Sequence, residues 1–489
     1  MIHLLGMLMS LGCGMLTYLS FSIDPSGTFR GVTLFLITIA WMAVAYLGAL
    51  YCIGWLKLAT VPNSSYSWRA VVGWAVVFRL ILLPSEPILE TDHFRYLWDG
   101  YSLSLGVNPY QYSPKEVLDT WENEPGSGRL SLAMRKLHEG LRQEPQMQPI
   151  LEHVNNKEVA TVYPPFVQVL FGFCAWLAPG SIIVLRFMML LFEGVLIASL
   201  ILLLQHLSMP DAWVMAYAWS PLVLKEMANT VHLDGFAIAL TGLAILLTVA
   251  GHSRRGALAW SGAVMSKYVP LLALPWFVRG WRRREWLLWG GGIAVLTLAF
   301  QGVGGRGLAV FAQRWESNGS IVIMLENLLE TLGVPAWNHG PRLITLWGAG
   351  FDWDAFQAAK VLCLLALLGL MIRCWLRRPA VWRLSWSLRT TFWVLGAMLL
   401  LSPVCNPWYV VWATPFLCFM RSGGWLYFSL AVLLYYCFFI PEQPRYIGGI
   451  REVEYIPLFA LLGWEMFKRR GWMLEPGEED TNLNADSNL

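Results

Sequence analysis

The chain has 489 residues, of which 56% are hydrophobic and 14% charged, with a formal net charge of +3. Soluble proteins average roughly 45–50% apolar and about 25% charged residues, so this composition excludes a soluble enzyme. The small net charge, with no polybasic arm, gives no reason to expect a nucleic-acid partner. The eight cysteines are spread singly through or beside apolar runs and form no Cys-x-x-Cys pair, so they read as buried small hydrophobes.

Spanning a bilayer takes about 20 apolar residues per helix. In chain order, candidate crossings fall near 1–22, 31–56, 70–84, 163–179, 183–206, 212–228, 235–251, 257–278, 286–301, 355–373, 391–404, 408–420, 425–440 and 457–468. The first lacks a basic leader and a cleavage pattern and reads as a retained helix. Residues 1–470 are therefore read as one all-α, polytopic membrane domain of about 12–14 transmembrane helices, and 471–489 as a disordered acidic tail on the cytoplasmic side. Arginine and lysine clusters at Arg279–Arg284, Arg373–Arg389 and Lys468–Arg470 should face the cytoplasm. Residues 85–162 and 302–354 then become large loops on the opposite face. A simple fourteen-helix count puts Arg254 and Arg255 outside and the His232–Asp234 turn inside. If 163–206 and 257–278 contain half-helices that dip and return, both assignments reverse.

The chemistry-bearing residues concentrate in the first outer loop: Glu90-Thr-Asp92-His-Phe-Arg95-Tyr96-Leu-Trp98-Asp99-Gly100, then Gly106-Val-Asn108-Pro109-Tyr110. The bland reading is a set of solvated loop acids with Arg95 pairing Asp99 at i,i+4. Residues 130–142 suit a helix lying in the membrane interface, and the loop re-enters through Tyr163-Pro164-Pro165. Lys225 beside Glu226 reads as a structural pair or part of a site, and His232 with Asp234 as a turn facing a cavity, because ionisable groups at membrane depth are costly. Lys267 is read either as snorkelling or as a site cation. Arg314, Asn318 and Arg445 stand in later loops on the same side as the acids.

A carboxylate on one loop facing cations on others suits transfer of a sugar from a lipid phosphate: the acceptor hydroxyl needs a base and the departing phosphate needs positive charge. The pattern Asp92-x-x-Arg95-Tyr96-x-Trp98-Asp99-Gly100, with Asn108-Pro109-Tyr110, Tyr163-Pro164-Pro165, His232-x-Asp234, Lys267-x-x-Pro270, Arg314-Trp315-x-x-Asn318 and Pro407-Trp408-Tyr409, resembles the GT-C superfamily of polytopic glycosyltransferases. It is most similar to the mannosyltransferases that use polyprenyl- or dolichyl-phosphate-mannose, over roughly residues 70–415.

The resemblance implies a GT-C-like fold with an extracytoplasmic first catalytic loop. It implies an inverting hexosyltransferase that moves a single sugar, with mannose favoured, from a polyprenyl-phosphate donor to a lipid- or glycan-linked hydroxyl. Asp92 is the implied base. Family members often show Asp-x-Asp where this chain has Glu90-Thr-Asp92, which leaves open which acid is the base and whether the two hold a divalent cation, Mg or Mn. Arg314, Lys267 and Arg445 are the implied phosphate contacts, and His232 and Asp234 contacts to sugar or acceptor. Arg95, Tyr96, Asp99, Tyr163 and Asn318 complete the substrate-binding set, and Trp98, Tyr163 and Trp408 are candidates for stacking on sugar faces. The expected setting is a bacterial plasma membrane and a cell-envelope glycan. Two other classes stay in view: a lipid or glycan flippase, and a polymerase or ligase using a lipid-diphosphate donor.

Overall fold

The apolar runs fold as helices, because a backbone within lipid has only its own groups to bond with. A computed structural model describes residues 1–22, 31–56, 67–123, 130–300, 302–303, 315–336, 342–346, 349–352, 354–440 and 449–468. Apart from a two-stranded antiparallel hairpin, Arg342–Leu346 with Ala349–Asp352, every described element is helical. Among the described residues, five helices are long and apolar enough to cross a membrane: α1 (Ile2–Ser20), α2 (Val32–Cys52), then Ile182–His206, Ala355–Leu376 and Leu384–Leu401. A sixth span arises if Pro221–Asn229 and Asp234–Val249, bent by 111° at their junction, are taken together. This is the architecture of a helical membrane protein.

The remaining apolar runs are short or broken. Pro270, Pro407 and Pro415 each fall in a 3-10 or single-turn segment, as expected of a residue that removes a helical hydrogen bond. Residues 214–239 are all buried, and Tyr217, Trp219 and Leu224 among them belong to the main core. Within it α3 (Trp68–Leu82) meets the long helix Ile182–His206 through Arg79. Its guanidinium makes a bidentate contact with Glu193 at 3.0 and 2.8 Å and also donates to the Ala75 and Ala218 carbonyls.

Between α3 and that helix lie α4 (Asp92–Ser104), α5 (Pro114–Asn123), α6 (Leu132–Gln143), α7 (Met147–His153) and α8 (Pro165–Leu177). α6 does not lie with a free apolar face in the interface, as its spacing suggests. Met134, Leu137 and Leu141 pack with Trp98, Tyr101, Val117 and Met147 into a separate small core. Gly100 lets α4 lie directly on α8, since a Cβ there would come within 2.4 Å of the Phe171 carbonyl oxygen.

Contacts also locate the middle region relative to the first loop. Both ends of α8 lie against the first outer loop: Pro164 borders its cavity, and Gly180 abuts Ile150 and Met147. Residues 257–278 form two legs meeting near Lys267, with Arg254, Arg255 and Arg282–Arg284 lining one basic cleft at the far end. The His232–Asp234 turn therefore sits on the side of Asp92, and Arg254 and Arg255 with the other arginines.

Candidate functional site

A cavity of about 450 Å³ opens where α4 begins, with walls from the first loop, the 232–234 turn, the Lys267 joint and residues 315–317 and 406–409. Asp92 opens α4 and Asp234 opens Asp234–Val249, so both carboxylates sit in a first helical turn, where the helix dipole favours negative charge.

Asp92 faces the cavity with its side chain 22% exposed. Asn155 Nδ2 donates to its Oδ1 at 2.7 Å, and its Oδ2 lies 3.9 Å from His232 Nδ1. Arg95 fixes this arrangement from behind. It does not pair with Asp99; its guanidinium donates to the carbonyls of Asn155, Asn156 and Val159 at 2.7–3.0 Å, tying down the segment that carries Asn155.

His232 is 1% exposed and stacks flat on Trp408, with centroids 4.4 Å apart and planes at 10°. Its Nε2 is 3.3 Å from Glu226 Oε2, within ion-pair reach, yet neither ring nitrogen makes an aligned hydrogen bond. Behind it, Glu226 accepts from the Tyr436 hydroxyl at 2.8 Å, Lys225 donates to that hydroxyl at 2.7 Å, and Glu90 Oε1 lies 3.1 Å from it. Lys225 and Glu226 are themselves 3.5 Å apart. A chain of ionisable groups thus runs from the cavity at Asp92 to fully buried Lys225. Burial pushes the Glu90 carboxyl up to about 8, against the pull of His232 and Lys225, so it is held protonated at neutral pH.

The local backbone explains how a histidine reaches this position. Leu224–Asn229 is π-helical, and Val231 then takes a φ of +58°. π-helical turns are rare and often mark functional sites, and a β-branched residue at positive φ is a true outlier. Leu89, Asn156 and Asn318 also have positive φ, so four of the five such non-glycine residues among the described ones adjoin cavity-forming segments. Strain of about 1–3 kcal/mol per residue persists only where the surroundings enforce it, and it clusters at functional sites.

Lys267 does not snorkel. Its Nζ is 2.6 Å from Asp234 Oδ1 and 4.3 Å from the Tyr409 ring centroid, and the side chain is 21% exposed at the cavity wall. Trp412 Nε1 donates to the same carboxylate oxygen at 2.6 Å. Tyr96 and Tyr163 border the cavity, and the Tyr110 hydroxyl donates to the Tyr163 carbonyl.

Three expected site residues lie elsewhere. Asp99, on α4, is buried toward α8, where its carboxylate accepts from Gln168 at 3.2 Å. Asn318 is 3% exposed and fastens the second outer loop to the last helix, donating to Glu454 at 2.9 Å while its carbonyl accepts from Tyr455. Trp98 belongs to the small loop core and is closed to a sugar. Arg314 and Arg445 lie outside the described residues.

Sequence reasoning missed Asn155, Tyr436 and the role of Glu226. The pair Asn155-Asn156 was a visible signal, since asparagine tolerates the left-handed φ of +49° found at Asn156. Tyr436 carried none. Among the described residues no group of three or more His, Cys, Asp or Glu is arranged to hold a metal ion. Glu90 accepts from Tyr436 and Asp92 from Asn155, so each carboxylate already has a protein partner. Compared with known protein families, curated proteins and solved structures, the chain finds no match in any of the three.

Proposed function

We propose that the protein is a membrane glycosyltransferase that moves one hexose, with mannose favoured, from a polyprenyl-phosphate donor to a hydroxyl acceptor. The observation that carries this reading is Asp92: a largely buried carboxylate that lines the cavity, held through Oδ1 by Asn155, with Oδ2 making no hydrogen bond among the described residues and lying 3.9 Å from His232 Nδ1. The GT-C resemblance, the count of about 12–14 helices, the outer-leaflet site and the bacterial plasma membrane belong to the same proposal.

In this reading the acceptor hydroxyl lies against Asp92 Oδ2. Its oxygen bonds to the anomeric carbon as the bond from that carbon to the phosphate oxygen breaks, and the configuration inverts. The proton passes to Asp92, and the electron pair leaves with the phosphate. Removing the proton as the bond forms contributes typically about 10²–10⁴ in rate. His232, stacked on Trp408 and backed by Glu226, sets its imidazole 3.9 Å from the same Oδ2, close enough to influence the charge there, while Asn155 holds the carboxylate in place. Lys267 supplies positive charge at the cavity wall for the departing phosphate, whose charge grows in the transition state. Trp408, Tyr409 and Tyr163 offer flat aromatic surface for the sugar.

One observation favours a second reading. The helix broken between Asn229 and Asp234 is the kind of element around which transporters build substrate sites. The deciding experiment is transfer of labelled sugar from a panel of short polyprenyl-phosphate donors by the purified protein in liposomes, with Asp92→Asn alongside. Turnover with one donor, lost in the variant, supports the transferase. Passage of labelled lipid across the bilayer, equal in both proteins and without transfer, supports a flippase. Turnover only with diphosphate-linked oligosaccharides supports a polymerase or ligase.

A further inference from the structure

We propose that a second cavity, remote from Asp92, binds one anionic phospholipid, with an acyl chain in an apolar groove and the headgroup phosphate at Arg373 and Arg389. The groove, of about 400 Å³, lies between helices Ala355–Leu376, Leu384–Leu401 and Ile450–Lys468. It shares no lining residue with the Asp92 cavity, and the inference does not depend on the proposed function.

Charge, length and shape identify the occupant. The groove's cations, Arg373 and Arg389, stand at the end of the helices that carries the basic loops, and no carboxylate lines it among the described residues. From Arg389 the wall climbs through Trp393 to Leu400. At 1.5 Å rise per residue that is about 16 Å, close to one leaflet of a bilayer whose hydrocarbon core is about 30 Å thick. A groove with cations at one end and one leaflet of apolar wall is complementary to an anionic lipid in that leaflet.

Two glycines shape it. A Cβ on Gly396 would fall 2.6 Å from the Trp425 ring, so the missing side chain lets that indole close the floor. A Cβ on Gly463 would meet nothing within 4 Å, so that position leaves room for a chain. The cleft of Arg254, Arg255 and Arg282–Arg284 is more basic but has no apolar wall and includes Glu285, which suits an ordinary cytoplasm-facing arginine cluster. It therefore serves as an internal control.

The test is native mass spectrometry of the purified full chain in micelles, titrated with phosphatidylglycerol or with phosphatidylcholine of the same acyl chains. Each variant is first checked for an unchanged unfolding temperature in lipid-free micelles. A basic residue near the surface contributes roughly fivefold in anionic-lipid affinity, so Arg373→Gln with Arg389→Gln should lower phosphatidylglycerol retention by about twenty-five-fold and abolish its advantage over phosphatidylcholine. Gly463→Leu, whose Cβ meets no protein atom within 4 Å and whose branch would occupy the groove, should reduce retention of both lipids. Arg254→Gln with Arg255→Gln should change neither. Equal retention of the two lipids by the unmodified protein overturns the proposal, as does an equal loss in the control pair. Displacement by soluble glycerol phosphate would leave a headgroup site only and overturn the acyl-chain part. If Gly463→Leu does not fold, the arginine pair still decides.

Discussion

Arg79 and Asp92 lie close in sequence and belong to two buried ionic clusters built on opposite principles. In the first, Arg79 and Glu193 meet in a two-point contact, Tyr217 donates to Glu193 at 3.1 Å, and two backbone carbonyls accept from Arg79. Both side chains are nearly inaccessible, and neither lines the Asp92 cavity or the groove at Arg373. In the second, one end opens to a cavity, His232 lacks an aligned bond at either nitrogen, and a strained Val231 precedes it. A closed, satisfied cluster holds helices in register. An open one with unspent hydrogen-bonding capacity and strained backbone has the form of a site, since such features persist only where something other than stability keeps them.

Asp92→Asn is the sharpest way to break that comparison. It should lower sugar transfer by about 10²–10⁴ while the unfolding temperature stays near that of the parent, because size and the contact with Asn155 are retained. Glu193→Ala should do the reverse. Stranding Arg79 in the core costs about 3–5 kcal/mol, read as a lower unfolding temperature and yield, while correctly folded protein keeps its KM. Arg79→Met combined with Glu193→Met should recover most of that loss, since apolar replacement of a buried pair is often neutral. Equal destabilisation by Asp92→Asn and Glu193→Ala, with normal specific activity in what folds, would erase the distinction between the clusters.

The two clusters were unequally legible in the sequence. Asp92, His232, Asp234 and Lys267 stood out because acids beside turns and charges within apolar runs need a reason, and the fold brings all four to one cavity or its edge. Arg79 and Glu193 sent the same signal, lone charges in apolar helices, but with 114 residues between them nothing in the chain paired them. Tyr436 and Glu226 are 210 residues apart and meet only through the packing of broken segments. The breaks were half visible. Prolines marked the breaks at Pro270, Pro407 and Pro415, whereas the π-helical turn at Leu224–Asn229, which leads the chain into the His232–Asp234 turn beside Asp92, has no local signature.

A smaller effect tests the clamp on the imidazole. Trp408→Ala removes the flat stack on His232 at 4.4 Å, and aromatic contacts of this kind contribute about 0.5–1.5 kcal/mol, so turnover should fall by about tenfold at most. Trp408→Phe should retain most of the activity. A loss in Trp408→Ala that appears in KM alone would assign the ring to sugar binding and not to His232.

The smallest predicted effect separates Glu90 from Asp92. Burial raises the Glu90 carboxyl from 4.5 to about 8, so the folded protein holds a proton there that the unfolded chain releases. Its contribution to stability is therefore complete below about pH 4.5, declines as pH rises, and is lost above about pH 8. Glu326, raised to about 7 chiefly by burial, adds a slope of the same sign, so the quantity to read is the difference between parent and Glu90→Gln. That variant keeps a neutral side chain against Tyr436 and should flatten part of the fall in unfolding temperature between about pH 5 and 8. Its transfer activity near pH 7 should stay close to that of the parent, because a protonated Glu90 is not the base. A strong loss of transfer in Glu90→Gln together with an unchanged pH slope would exchange the two acids, making Glu90 the ionised partner and Asp92 its support.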